Sequence, residues 1–107
     1  MGCEHDISGH RHQLHSAEVI ERAALMASAL GDPGRLRLLE LLADGQHCVS
    51  ELAEETGDSM SSISQRLKIL HTAGLLSRER DGKHIYYSLA DSHVEQIMKQ
   101  LFEHASE

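Results

Sequence analysis

Residues 49–89 read VSELAEETGDSMSSISQRLKILHTAGLLSRERDGKHIYYSL, and the fold is decided in this stretch. Its first half predicts two short helices, Val49 to Thr56 closed by Gly57 and Ser59 to Thr72 closed by Gly74. Glycine suits both ends because it accepts the left-handed backbone that follows a last helical turn. In the second helix Ile63, Leu67, Ile69 and Leu70 are the residues expected to bury. Beyond Gly74, Leu75 to Arg80 and Lys83 to Leu89 hold alternating or β-prone residues. They are separated by Asp81-Gly82, a dipeptide that favours a type I′ hairpin turn.

Two short helices joined by a tight turn make a helix-turn-helix pattern, and the basic two-stranded hairpin that follows is its wing. Upstream, Ser16 to Leu30 is rich in Ala, Glu and Leu and predicts a helix stopped by Gly31, Asp32 and Pro33. Pro is favourable at a first helical position, so the next helix starts near Pro33. It carries Leu36, Leu38, Leu39, Leu41 and Leu42 as the central core element and ends at Asp44-Gly45. Residues 1–15, with Cys3, His5, His10, His12 and His15, lack any apolar period and predict a flexible tail. Residues 16–107 then form one domain, mainly α with a two-stranded β wing: a winged helix-turn-helix paired through its terminal helices.

At 107 residues the chain supports a modest core, which dimerisation would help to complete. No segment approaches a membrane span and the opening residues are polar, so the expected location is cytoplasmic. Cys3 and Cys48 do not form a disulfide framework, which agrees with a reducing compartment. The net charge of −7 opposes nonspecific binding to polyanions, yet Arg66, Lys68, Arg78, Arg80 and Lys83 cluster against only Glu79 and Asp81. That cluster predicts a local basic surface on an acidic protein. No nucleophile–base pair or phosphate-binding glycine loop points to an enzyme.

The last helix carries Asp91, His93, His104 and Glu107, four potential metal ligands within seventeen residues. His93 and His104 share a face but stand about 16 Å apart along the axis, so one helix cannot bring both to one ion. Two antiparallel copies can, placing Asp91 and His93 of one chain beside His104 and Glu107 of the other, with two identical sites per dimer. Val94, Ile97, Met98, Leu101, Phe102 and Ala105 form the apolar stripe between them. Two imidazoles and two carboxylates without thiolate suit Zn²⁺, while Ni²⁺ and Co²⁺ accept the same donors when further ligands are at hand. The plainer alternative for Asp91 is a helix N-cap.

With these features in order, the chain resembles the ArsR/SmtB family of metal-sensing transcriptional repressors. The resemblance rests on Leu30 to Leu39, Cys48 to Ala53, Ser61 to Leu70 and the wing Gly82 to Leu89, together with the Asp91, His93, His104 and Glu107 spacing. It implies a homodimer that binds an inverted-repeat operator when metal-free and leaves it when metal fills the intersubunit sites. Ser61, Ser64 and Gln65 would then reach bases or phosphates, Arg66 and Lys68 would meet phosphates, and Arg80 and Lys83 in the wing would touch the backbone or minor groove. Some relatives hold a second metal between the tail and the helix that starts at Cys48, and Cys3, His5, Cys48 and Glu51 stand in those places here. Cys48 also suits a small buried position. Competing readings are a metal buffer, which would not need the basic wing, and a redox repressor using Cys3 and Cys48.

Overall fold

The computed structural model describes residues 14–107. The elements run α1 (Ala17–Leu30), α2 (Pro33–Ala43), β1 (His47–Cys48), α3 (Val49–Thr56), α4 (Met60–Thr72), β2 (Leu76–Asp81), β3 (His84–Leu89) and α5 (Ser92–Ala105). Local chemistry sets the helix ends. Ser16, Asp32, Ser59 and Asp91 are extended N-caps whose side-chain oxygens accept first-turn amide protons. Pro33 follows its cap directly, where a missing N–H sacrifices no helical bond. Gly57 closes α3 with a φ of 79°, its N–H donating to the Ala53 carbonyl.

Leu38, Leu39 and Leu42 of α2, Leu52 of α3 and Ile63, Leu67 and Leu70 of α4 make the centre of the core, and Val94 and Met98 of α5 cover one side. Among the described residues none of the buried ones is polar or charged, so apolar burial alone holds this centre together. Ile69, expected inside with the other α4 residues, is instead 40% exposed. Each helical step turns the side chain by about 100°, which carries Ile69 out of the arc shared by Ile63, Leu67 and Leu70.

The sheet has three antiparallel strands in the order β1-β3-β2, one more than the wing predicted. β1 pairs His47 with Tyr87 and Cys48 with Tyr86, and two residues are too few to leave an alternating pattern in a sequence. The wing turn is also displaced. Asp81 pairs with His84, so the loop is Gly82-Lys83 rather than Asp81-Gly82. Only Gly82, at φ 65°, has positive φ there, which excludes type I′ and fits the glycine-first type II′ turn. Strand alternation then puts Arg78 and Arg80 on one face of the wing and Glu79 and Asp81 on the other.

Candidate functional site

The apolar stripe of α5 is split. Val94 and Met98 are buried and Phe102 packs partly against the core, whereas Ile97 and Leu101 are 47% and 40% exposed. Ile97 and Leu101 line an open groove with Leu30, and His93, Gln96, Gln100 and His104 share that same groove. Each histidine has its own carboxylate. His93 Nδ1 lies 3.5 Å from Asp91 Oδ1, and His104 Nδ1 lies 3.7 Å from Glu107 Oε1. Two ligands on one tetrahedral ion, with bonds of about 2.0–2.1 Å, stand about 3.3 Å apart, so both pairs come close to a metal-ready spacing. Among the described residues no three His, Cys, Asp or Glu side chains gather around one point. The described residues therefore present two pairs of candidate donors, half-sets at opposite ends of one helix.

Asp91 is also the N-cap anticipated as its alternative role. Its Oδ1 accepts the N–H of His93 at 3.0 Å and of Val94 at 3.2 Å. The Val94 bond is the main reason its carboxyl sits below the ordinary aspartate range, and neighbouring His93 adds to the effect.

On α4, Ser61, Ser64, Gln65 and Lys68 are exposed on the side opposite Ile63, Leu67 and Leu70. Ser64 shares a groove with Met60 and with Lys83, His84 and Ile85 of the wing, so the helix and the wing tip meet on one surface. Arg80 is exposed on the basic face of the wing beside Arg78. Arg66 departs from its expected place. Its Nη1 donates to Asp58 Oδ2 at 2.8 Å, and the side chain is 28% exposed, folded back over α2.

Of the tail set, Cys3 and His5 lie outside the described residues, as do His10 and His12. Cys48 is buried, with Sγ 3.2 Å from Ser50 Oγ. Glu51 Oε1 accepts the Cys48 N–H at 2.9 Å and stands 3.5 Å from His47 Nδ1. The hydrogen bond from the Cys48 backbone is the first cause of a lowered Glu51 pKa. His47 was missed from the sequence, although its i, i+4 relation to Glu51 was there to be read. Gln96 and Gln100 were missed likewise, although both lie on the His93–His104 face.

Residues 32–78 match the family model described as bacterial regulatory protein, arsR family. The chain is 38% identical over 95 residues to a transcriptional repressor SmtB homolog of Synechocystis sp., covering 89% of this chain and 72% of the relative. It is 33% identical over 85 residues to a cadmium resistance transcriptional regulatory protein CadC homolog of Staphylococcus aureus, covering 78% of this chain and 70% of the relative. Its fold is similar to the solution NMR structure of the homodimeric winged helix-turn-helix DNA-binding domain of Mb0332 from Mycobacterium bovis. That similarity has a TM-score of 0.83 at 29% identity and covers 91% of this chain and 90% of that one.

Proposed function

Because the chain belongs to the ArsR/SmtB family of transcriptional regulators, we propose that it is a homodimeric repressor that binds an inverted-repeat operator when metal-free and is released by Zn²⁺. The released operator would belong to genes of metal efflux or homeostasis, and the protein would work in the cytoplasm, where that DNA lies. The observation that carries the metal part of this reading is the pair of half-sets on α5. Asp91 with His93, and His104 with Glu107, each have a donor spacing close to that of two ligands on one ion, and among the described residues neither has a third donor of its own chain. Completing either set takes a second copy, and the open Ile97 and Leu101 between the two ends supply apolar surface for it. The cadmium-resistance relative adds support for a metal effector.

Zinc fits two imidazoles and two carboxylates in tetrahedral array. Nickel or cobalt is the second reading, favoured by Gln96 and Gln100 beside the histidines as further hard donors. Ser61, Ser64 and Gln65 face base edges, and Lys68, Arg80 and Lys83 face phosphates. A second metal position would use Glu51 and Cys48 with Cys3 and His5 of the tail, and His47 beside Glu51 is a further donor for it. Bound metal ties the two α5 helices in one relative orientation, which changes the spacing of the two α4 helices. Operator DNA must then weaken metal binding by the same factor that metal weakens operator binding.

Complementation between inactive variants tests the shared site. Asp91→Ala/His93→Ala and His104→Ala/Glu107→Ala each remove one half of both sites, so neither homodimer should hold zinc at α5. A heterodimer of the two regains one complete site, against two in the wild-type dimer. Calorimetric titration of the purified heterodimer should show that single site. No regained binding, or full binding by either variant alone, contradicts the intersubunit assignment.

A further inference from the structure

Arg66 lies midway along the proposed DNA-reading helix, yet its side chain leaves the exposed face. Its guanidinium Nη1 donates to Asp58 Oδ2 at 2.8 Å, reaching the turn between α3 and α4. Its Nε and Cζ lie 2.9 and 3.1 Å from the point where a Cβ on Gly34 would stand, and Asp32 Oδ2 lies 3.2 Å from the same point. No side chain larger than hydrogen fits at position 34 without moving this group. One planar cation therefore touches α4, the turn before it and the first turn of α2. The core edge of α4, built from Ile63, Leu67 and Leu70, is apolar and imposes little direction of its own. A charge-assisted bond from a planar guanidinium does impose direction, and a lysine ammonium has no flat group to lie on Gly34 while it reaches Asp58.

We infer that Arg66 is a positioning residue rather than a phosphate ligand. Docked on Gly34 and tied to Asp58, it sets the roll of α4 against α2 and so holds Ser61, Ser64 and Gln65 at the angle that base contact needs. This rests on the DNA-binding reading above.

The test compares the wild-type full-length dimer with Arg66→Lys, Arg66→Gln, Asp58→Ala and Gly34→Ala. Each is titrated by fluorescence anisotropy against DNA from upstream of its own gene and against an unrelated duplex. A salt series is run well below each melting temperature, with folding checked by circular dichroism. Each variant should lose about tenfold in operator affinity, the scale of a charge-assisted bond, with no loss of affinity for unrelated DNA and no reduction of the salt slope. Asp58→Ala is the sharpest arm, because removing a negative charge would by electrostatics alone strengthen DNA binding. The inference is overturned if Arg66→Lys keeps full operator affinity, if Asp58→Ala binds the operator more tightly, or if Arg66→Gln weakens both DNAs alike with a slope reduced by about 1.8, about 0.9 for each of the two copies of Arg66 in the dimer. Should Gly34→Ala fail to fold, Asp58→Ala and Arg66→Lys decide the matter alone. A wild-type dimer that binds the operator fragment no better than the unrelated duplex removes the DNA reading, and the inference with it. Loss confined to the variants, shared by both DNAs, removes the inference only.

Discussion

Asp91 closes the first turn of α5 and stands beside His93 as a candidate metal donor with the same carboxylate. Asn is as good an N-cap as Asp but a poorer metal ligand, whereas Ala is neither. Asp91→Asn should therefore keep the apo melting temperature and weaken zinc binding, while Asp91→Ala should lower both. The cap has a pH signature. The Asp91 pKa is lowered in the folded chain, so its stabilisation is fully present above the unfolded value, about 3.9, and is lost as pH falls through the folded value. Thermal melts of wild type and Asp91→Ala should differ at neutral pH and converge on acidification. A gap that stays constant to the acid limit would refute the ionised cap. The closeness of Asp91 to His93 and of His104 to Glu107 was legible in the sequence because local helix spacing alone relates them. The turn of Arg66 towards Gly34 and Asp58 was not, since it depends on how α2 and α4 pack.

At the scale of elements, local signals made the first four helices readable to within a residue or so, with Ser16, Pro33 and Ser59 marking starts and Gly57 marking a stop, while Asp32, read as part of a stop, proves to be the N-cap of α2. Periodicity was less decisive about faces. α5 divides its apolar residues between its own core and an open side, and α4 buries Leu67 while leaving Ile69 part-exposed. This difference predicts unequal costs. Leu67→Ala should destabilise by about 2–5 kcal/mol, as expected for a fully enclosed leucine, and Ile69→Ala by clearly less. Urea unfolding of both variants checks this, and equal losses would mean that the α4 face is assigned wrongly. β1 escaped the sequence because its pairing is made by β3, far along the chain, and the wing turn shifted because register, not the Asp-Gly dipeptide, selects the loop.

Across the whole molecule, an acidic protein with net charge −7 concentrates exposed basic residues near one surface, where Ser64 and Lys83 share a groove and Arg80 stands on the wing. The donor pairs of α5 lie on a different helix, one that packs on α2 and β3. An effector on α5 can then act on operator affinity through the relative placement of two protomers, or through α2 and β3, and α5 itself carries none of the side chains proposed to face DNA. The order of elements, the winged helix-turn-helix fold and the family were legible from sequence, because each depends on local signals in a fixed sequence order. How two copies pair is a property of surfaces that one chain leaves open. The most direct measurement is the affinity for DNA from upstream of the protein's own gene, by fluorescence anisotropy at fixed salt, with chelator and then with Zn²⁺, Ni²⁺ or Co²⁺. Tight apo binding that is lost on adding zinc, and that persists with zinc when His93 and His104 are both changed to Ala, is the predicted result. A specific complex indifferent to all three metals would contradict the account.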